Sequence, residues 1–499
     1  MKLLALGHSS YLLEMDSPTG SPVRVLADPW LSDHLIGDLQ GRFPRVRIDL
    51  DTLGPIDAVF LSHSHTDHCD PYSLVDLWRR LDPVPVLFLP QSMRYLESLF
   101  KAHLEGARIL VLEDESSIDF HGVKITALFN PETRATNEDD VMLLIVDSGN
   151  ELFVSEADAT LPFYDADVRE NLGARLLEKS PQTIVFFAIK NQGESAMSML
   201  DARSSEDRRH RLSREIESTY DEIESLYTPF EGLETDIWGI RRLVRLLGGQ
   251  GICFPQQLQK GWNRILFPIR LEDRMRMERE VSERNELSHS IEEFVPGMTH
   301  VISNGELERR EPCEALTLLD SEDDRRFDPN IELMEEVFPV APLRDEARDL
   351  AAQETRILEA LNTRFLPWWI GARTPPVEHV LASRGGEYRI RIRYGSTLEH
   401  EDADYRFGFD NNRFEREEPG EADPDEHYWG NDIEDVLDGE ADEFSLFCRT
   451  PLGGHAQRFW RALGLPYLNA DLIERKLRRH FERASRDEPL EDWVLSFYA

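Results

Sequence analysis

The sequence predicts an α/β protein, with helices layered over sheet in its first part and a smaller α+β domain at its end. Residues 1 to about 160 alternate short apolar segments with turns and a few helices, which is typical of layers with sheet inside. Charge runs and prolines then predict a linker at 308–342. Since 499 residues exceed one ordinary domain, we expect a first domain at 1–307 and an accessory domain at 343–499.

Individual elements follow from apolar runs and from their periodicity. Short, mainly apolar segments of four to six residues predict strands at 23–26, 58–61, 86–89, 109–112, 123–128, 142–146, 185–189 and 251–254. Apolar residues at three- and four-residue steps predict helices at 205–227, 236–247, 271–287, 343–362 and 471–484. The helix at 271–287 is so charged that we expect it on the surface. In the final domain, alternation around Tyr388–Tyr394 predicts a half-buried strand.

A cluster of metal-binding side chains directly follows the apolar run 58–61. His63, His65, Asp67 and His68 lie within six residues. His63 and His65 are two residues apart, so in extended backbone they share a face, while Asp67 and His68 follow where the chain turns. Neutral imidazole and carboxylate suit zinc or iron. The alternative interpretation is a polar loop that happens to be rich in histidine.

The residues after the cluster predict a helix. Asp70 is a suitable N-cap, and Pro71 suits the first helical turn. The cluster therefore lies on a turn between a strand and a helix, where rigid elements hold a loop on both sides. Cys69, beside the cluster, is interpreted as a packed small side chain.

The spacing His63-x-His65-x-Asp67-His68 resembles the signature of the metallo-β-lactamase fold superfamily. Segments that resemble other parts of this superfamily occur in the expected order, namely 7–14 (as in the branch related to ascorbate-6-phosphate lactonase), 26–33 and 153–158. Segments similar to the CMP-N-acetylneuraminate hydroxylase branch are 252–255, Asn263 and 296–299. The resemblance implies an αββα sandwich with the site at one sheet edge.

The resemblance also implies a ligand set for two ions. His63 and His65 would bind the first metal, Asp67 and His68 the second, and Asp158 would bridge them. Two neighbouring cations need a shared anionic ligand, and a water held between them becomes hydroxide near neutral pH. Asp67 is the predicted catalytic residue, because its carboxylate can orient that hydroxide.

Two further residues are expected to support the ligands. Asp28 is predicted to orient the metal loop by hydrogen bonds. His8 follows the first strand, where it either faces the site or serves as a hydrogen-bonded structural histidine.

The sequence departs from the superfamily pattern in two places. Where a third histidine would serve the first metal, the chain has Asn130 and Glu132. Where the last histidine would follow the strand near Phe254, residues 255–259 contain none, and the next is His289. These departures weaken the expectation of a two-zinc site and bring the chain nearer to the hydroxylase-like branch.

We therefore expect a metallo-hydrolase that uses a metal-bound hydroxide, with one or two zinc ions, on a small or nucleotide-linked substrate. One alternative is an iron-dependent hydroxylase, which would need an electron-transfer partner because the chain has no Rieske-type cysteine and histidine pairs. The other is a degenerate, non-catalytic metal-binding scaffold. The C-terminal domain is interpreted as a lid or as the contact of a homo-oligomer.

Composition restricts the partners and the surroundings of the protein. A net charge of −39 argues against nucleic acid and against an anionic membrane surface. Only seven basic residues are lysines, so the acidic surface predicts function in high salt, although a GC-rich genome would also favour arginine. Arg241, Arg242 and Arg245 are interpreted as a solvated helix face. Four scattered cysteines and the lack of a signal peptide or long apolar run predict a cytoplasmic protein.

Overall fold

The structure is a computed structural model. The residues that it describes are 1–33, 41–42, 46–129, 141–149, 151–156, 184–188, 213, 216–217, 219–221, 223–224, 243–248, 252–253, 271–286, 289–303, 305–319, 342–371, 387–408, 411–421, 424–449 and 459–486. Among these residues, no helix is both long and apolar enough to cross a membrane.

Two large sheets make up the first part of the protein. The strands, in chain order, are β1 (Lys2–Gly7), β2 (Ser10–Met15), β3 (Val23–Ala27), β4 (Gly41–Arg42), β5 (Val46–Ile48), β6 (Ala58–Phe60), β7 (Val86–Pro90), β8 (Arg108–Leu112), β9 (Ser117–Phe120), β10 (Val123–Phe129), β11 (Met142–Asp147), β12 (Leu152–Ser155), β13 (Ile184–Ala188), β14 (Leu243–Leu247), β15 (Ile252–Cys253), β16 (His289–Glu293), β17 (Met298–Ser303), β18 (Glu306–Pro312) and β19 (Leu316–Leu318). The first sheet has the order β18-β17-β1-β2-β3-β6-β7-β8, and the second β16-β14-β13-β12-β11-β10-β9. Two short pairs, β15-β4 and β19-β5, lie beside them.

The hydrophobic core lies between these two sheets, and a second apolar layer covers the outside of the first sheet. In β1, Leu3 and Ala5 face the core between the sheets, while Leu4 and Leu6 face the outer layer. Because both faces are buried, the strand is a continuous apolar run instead of an alternating one. The apolar runs of the sequence therefore predicted the strands well.

Helices cover both outer faces of the two sheets. The helices of this part are α1 (Leu50–Leu53), α2 (Pro71–Arg80), α3 (Glu97–His103) and α4 (Leu271–Arg284). Leu74 of α2 and Phe100 of α3 belong to the apolar layer outside the first sheet. In β14, Val244 and Leu246 face the inner core, so Arg245 between them points outward, where it meets Glu278 of α4. The result is the predicted αββα sandwich.

A smaller α+β lobe follows. Its strands β20 (Tyr388–Gly395), β21 (His400–Gly408), β22 (Arg413–Glu417) and β23 (Glu426–Trp429) form one sheet in the order β22-β21-β20-β23. Its helices are α5 (Leu350–Ala360), α6 (Leu366–Gly371), α7 (Gly430–Asp438), α8 (Phe444–Arg449), α9 (Phe459–Leu463) and α10 (Pro466–Ser485), with a π-helical segment, Leu361–Phe365, between α5 and α6. The predicted alternation in β20 is confirmed, since Tyr388, Ile390, Ile392 and Tyr394 are buried.

The last helix, α10, belongs to two hydrophobic cores at once. Leu472 packs into the core of the small lobe. Ile473, Leu477 and Phe481 pack instead into the apolar layer that covers the first sheet. The Phe481 ring contacts Phe100 of α3 edge-on at 5.6 Å between centroids. The small lobe is thereby packed against the helices of the sandwich.

Three sequence predictions are wrong. The predicted helix at 236–247 contains the strand β14 in its described part, and Arg245 is buried there instead of solvated, while Arg241 and Arg242 lie outside the described residues. Helix α4 is not purely a surface helix, because Arg274 and Glu278 are buried, and Glu278 pairs with both Arg274 and Arg245.

The third wrong prediction concerns the linker, whose beginning is folded sheet. The charge run near residue 310 forms β18, which pairs with β17 at the edge of the first sheet. Residues 316–318 form β19, which pairs with β5. Residues 320–341, the rest of the predicted linker, lie outside the described part of the chain. The domain boundaries at 307 and 343 remain predictions.

Candidate metal centre

The predicted metal motif lies on the turn that joins β6 to α2, as its flanking residues indicated. The Asp70 carboxylate accepts hydrogen bonds from the backbone N–H groups of Tyr72 (3.1 Å) and Ser73 (3.2 Å), so it caps α2. The turn is buried, with His63 0% and His65 8% exposed. Loops usually lie at the surface, and buried imidazoles need hydrogen-bond or metal partners. The burial of this turn therefore indicates a functional site.

Three of the predicted side chains converge on one point. His8 Nε2 lies 3.0 Å and His68 Nε2 3.5 Å from Asp67 Oδ2. Ligand atoms of these three residues all lie within 4.8 Å of one another, and all three residues are buried. The contact of His8 with Asp67 lacks hydrogen-bond geometry, and His8 Nδ1 has no hydrogen-bond partner among the described residues.

These distances fit a shared metal ion. Ligand atoms at about 2.0–2.1 Å from a zinc ion in a tetrahedral site lie about 3.3 Å from one another. The separations of 3.0 and 3.5 Å around Asp67 Oδ2 are close to that value. Two imidazole nitrogens and a carboxylate oxygen are a donor set that suits zinc or iron. His8, Asp67 and His68 can therefore hold a metal ion together.

His63 and His65 form a second pair of donors beside this group. His63 Nε2 faces His65 Nδ1 at 2.8 Å. The ring of His63 also lies 4.1 Å from the ring of His68, centroid to centroid. The group of three donors and the pair thus belong to one cluster, in which the predicted ligands of the first and second metal are neighbours.

Asp28 orients this cluster by hydrogen bonds. Its Oδ1 accepts the backbone N–H of Ser62 at 2.7 Å, and its Oδ2 accepts the Ser62 hydroxyl at 2.7 Å. Oδ2 also lies 3.0 Å from His68 Nδ1. Since a carboxylate only accepts, the proton of His68 sits on Nδ1, and the Nε2 lone pair points toward Asp67.

Ser62 continues this network to His63. Its hydroxyl, which donates to Asp28, lies 2.9 Å from His63 Nδ1 and so accepts the proton of that nitrogen. The Nε2 lone pair of His63 is then directed at His65. Burial, with the neighbouring His68 and His65, holds the pKa of His63 well below its usual value, so this imidazole is neutral and able to bind a cation.

Asp67 is ionised in the same surroundings. Burial alone would raise the pKa of its carboxyl, but His68 and His8 outweigh burial and hold this pKa well below its usual value. Its Oδ1 has no hydrogen-bond partner among the described residues. Asp67 therefore offers one oxygen to the convergence point and keeps the other available.

The backbone is strained at the two residues that the sequence singled out as supporting groups. His8 has φ 47° and Asp28 has φ 44°, in the left-handed region that non-glycine residues rarely adopt. Such backbone strain persists where the surrounding structure holds the residue in place, and it is common at functional sites. Here the surroundings are rigid, because His8 lies in the β1–β2 turn and its ring packs edge-on against Trp30 at 5.3 Å.

The structure thus brings together His63, His65, Asp67, His68, Asp28 and His8. Asp158, the predicted bridging ligand, lies outside the described residues, and so do Asn130, Glu132 and 255–259. The sequence reasoning missed Ser62. Ser62 is the last residue before the motif, and Asp28 was predicted to orient the metal loop by hydrogen bonds. Ser62 could therefore have been predicted as a hydrogen-bond partner of Asp28.

Comparison with known proteins identifies the class of this domain. Residues 23–171 match the family model described as "Beta-lactamase superfamily domain". A Mycolicibacterium smegmatis protein named for a Rieske 2Fe-2S iron-sulfur centre is 34% identical over 74 residues, which are 15% of this chain and 13% of that protein.

Two solved structures are similar to this chain over part of its length. CmlA, a diiron beta-hydroxylase from Streptomyces venezuelae, has a TM-score of 0.35 and 12% identity, and the match covers 62% of this chain and 54% of CmlA. YhfI, a metallo-beta-lactamase fold protein from Bacillus subtilis, has a TM-score of 0.31 and 14% identity, and the match covers 60% of this chain and 97% of YhfI.

The chain therefore carries a domain of the metallo-β-lactamase fold superfamily, as its motif predicted. The finer resemblance to the lactonase or the hydroxylase branch remains a prediction.

Proposed function

We propose that this protein is a metal-dependent hydrolase that acts on a small or nucleotide-linked substrate. The observation that supports it best is the convergence of His8 Nε2, Asp67 Oδ2 and His68 Nε2 at separations of 3.0 and 3.5 Å. In this proposal His8 is a direct ligand, which goes beyond the supporting role that the sequence suggested. A divalent cation bound there supplies Lewis-acid polarisation of a substrate oxygen and lowers the pKa of water.

The residues of the chain divide the remaining work. His63 and His65 would hold a first ion, and His8, Asp67 and His68 a second, with Asp158 proposed as the bridge. Asp67 Oδ1, which has no hydrogen-bond partner among the described residues, is placed to accept a hydrogen bond from an attacking water and so to orient it. Asp28 fixes the proton of His68 on Nδ1, and Ser62 does the same for His63, so that each imidazole presents Nε2.

The metal content of the purified protein tests this proposal. His63→Ala with His65→Ala should remove the first ion, and so about half of the metal when both positions are filled, because in this proposal both side chains are ligands of that ion. The matched control is His400→Ala, because His400 is an exposed histidine on β21 in the small lobe. Full metal content in the double variant, or a wild type that takes up no metal when it is supplied, would contradict the proposal.

A second candidate is an iron-dependent hydroxylase. It is favoured by the 74-residue similarity to the protein named for a Rieske iron-sulfur centre. This chemistry would need electrons from a partner protein, because the four cysteines of the chain are scattered and form no Rieske-type motif. Zinc in the protein as purified from its native host would support hydrolysis, whereas iron together with a redox-active absorption spectrum would support hydroxylation.

The proposed partners follow from charge. A net charge of −39 favours a small-molecule substrate over nucleic acid or an anionic membrane. A cytoplasmic location and a homo-oligomer formed through the small lobe remain proposals from the sequence. Sedimentation of the purified protein measures the oligomeric state directly.

A further inference from the structure

The metal motif is covered by the small lobe, on the side where His65 and Thr66 lie. Thr66 is 0% exposed although it stands at the tip of the turn. The ring of Phe444, at the start of α8, contacts the His65 ring edge-on at 5.2 Å between centroids. The cover therefore comes from residues more than 370 positions later in the chain.

One hydrogen bond joins the motif to this cover. The Thr66 hydroxyl donates to Asp442 Oδ2 at 2.9 Å, and both residues are buried. The other oxygen of Asp442, Oδ1, accepts the backbone N–H of Phe444 at 2.9 Å. A single carboxylate thus holds the motif with one oxygen and the start of α8 with the other.

Asp442 is itself held by a buried ion cluster. Lys476 of α10 places Nζ 3.2 Å from Asp442 Oδ2 and 2.8 Å from Glu443 Oε2, and these three residues are 2–4% exposed. A buried carboxylate without such a partner would become neutral. Burial would raise the pKa of Asp442, but Lys476 outweighs it and lowers this pKa, so the acceptor stays ionised.

The helix that carries Lys476 also contacts the helix that follows the motif. The His480 ring of α10 lies 5.9 Å from the Tyr72 ring of α2, and Arg79 of α2 donates to the backbone oxygen of Ser485 at 2.5 Å. Helix α2 begins at Pro71, three residues after His68, the last residue of the motif. The small lobe therefore fixes the motif at its tip, through Asp442, and at its end, through α10.

We infer that Asp442 is a positioning residue of the metal centre, which acts through its hydrogen bond to Thr66. Thr66 stands between the proposed ligands His65 and Asp67, so a rotation of its backbone would move one ligand relative to the other. The small lobe thus contributes a residue that positions the ligands of the metal centre. This inference rests on the proposed metal function.

Two variants change the hydrogen bond in different ways. Thr66→Val keeps the shape of the side chain, removes the bond and leaves the ion cluster untouched, while Asp442→Asn removes the charge and places an NH₂ group where Oδ2 accepted, so that only a neutral bond of reversed direction remains. Asp438→Asn is the matched control, because Asp438 pairs with Arg356 in the same lobe and away from the motif. Thr66→Ser is the rescue variant, since it restores the hydroxyl.

The readouts are the affinity for Co²⁺ and the visible absorption spectrum of the Co²⁺-loaded protein, which reports the geometry around the ion. We expect Thr66→Val and Asp442→Asn each to weaken affinity about tenfold or more and to alter the spectrum. The double variant should be no worse than Thr66→Val alone, because both substitutions act through the same bond. Thr66→Ser and Asp438→Asn should keep the wild-type spectrum.

A purely structural Asp442 would lower the melting temperature and leave the spectrum and the affinity unchanged, and this result would overturn the inference. If Asp442→Asn fails to fold, Thr66→Val decides by the same readouts. A wild type that binds no Co²⁺ would overturn the proposed function as well, so the two failures are distinguishable.

Discussion

The hydrogen bond between Asp28 and His68 leads to a sharp prediction for Asp28→Asn. An asparagine has the shape of the carboxylate, but one of its oxygens becomes an NH₂ group that donates. The oxygen must stay near the backbone N–H of Ser62, which Asp28 Oδ1 accepts at 2.7 Å and which cannot adapt. The NH₂ group therefore replaces Oδ2 and faces His68 Nδ1, at 3.0 Å in the wild type.

His68 then has to change its tautomer. Two N–H groups cannot face each other, so the proton of His68 moves from Nδ1 to Nε2. Nε2 is the nitrogen 3.5 Å from Asp67 Oδ2, and a protonated nitrogen cannot bind a metal. Loss of an outer partner of this kind costs about 10–100-fold in metal affinity, which is about 1.4–2.7 kcal/mol.

The assay is a competition titration of Zn²⁺ against a chromophoric chelator, with the tautomer of His68 followed by nitrogen NMR. Asp57→Asn is the control, because Asp57 Oδ2 accepts the backbone N–H of Arg24 at 2.8 Å, away from the motif. It should retain wild-type affinity. Unchanged zinc stoichiometry and affinity in Asp28→Asn, with His68 still protonated on Nδ1, would refute this account of how Asp28 acts.

Two further predictions concern stability. His300 is buried, and burial and the nearby Arg310 lower its pKa from 6.5 to about 4. The unfolded chain takes up this proton near pH 6.5 and the folded chain only near pH 4, so the free energy of unfolding should fall by about 2 kcal/mol from pH 7.5 to 4.5. Urea unfolding of His300→Gln should show a pH dependence smaller by this amount. An equal pH dependence in both proteins would contradict the prediction. With a net charge of −39, the melting temperature should rise from low salt to 1 M sodium chloride. Salt screens the repulsion between acidic residues, and this gain outweighs the weakening of exposed ion pairs, which are worth about 0–1 kcal/mol each. A flat or falling melting temperature would count against function in high salt.

Local signals in the sequence predicted much of the fold. The apolar runs at 23–26, 58–61 and 86–89 became β3, β6 and β7 to within a residue. Asp70 and Pro71 placed the start of α2 correctly, because capping depends on side chains next to the backbone groups that they satisfy.

The errors arose where charged residues find their partners far along the chain. Arg245 looked solvated because Glu278, which neutralises it, is 33 residues away, and the same pairing buries part of α4. The charge run of β18 looked like a linker, yet an edge strand exposed to water carries charge and so resists pairing with other chains.

In the candidate site, too, residues close in sequence could be predicted and contacts between distant residues could not. The ligands on the turn were predictable because they are close in sequence, and Asp28 was predictable by resemblance. The convergence of His8 with Asp67 depends on the β1–β2 turn, which brings together residues almost 60 positions apart. The contact of Asp442 with Thr66 spans 376 positions, and no local pattern indicates it.

That separation has a consequence for the synthesis of the protein. At about 5–20 residues per second, a ribosome needs roughly 20–80 s to proceed from the motif to the end of α10. During this interval the nascent sandwich holds its histidines without the cover that buries them in the finished chain. If the proposed metal binds, it would reach the turn most easily during this interval, before the last helix covers it, so the order of translation would give this centre a loading stage before a sealing stage.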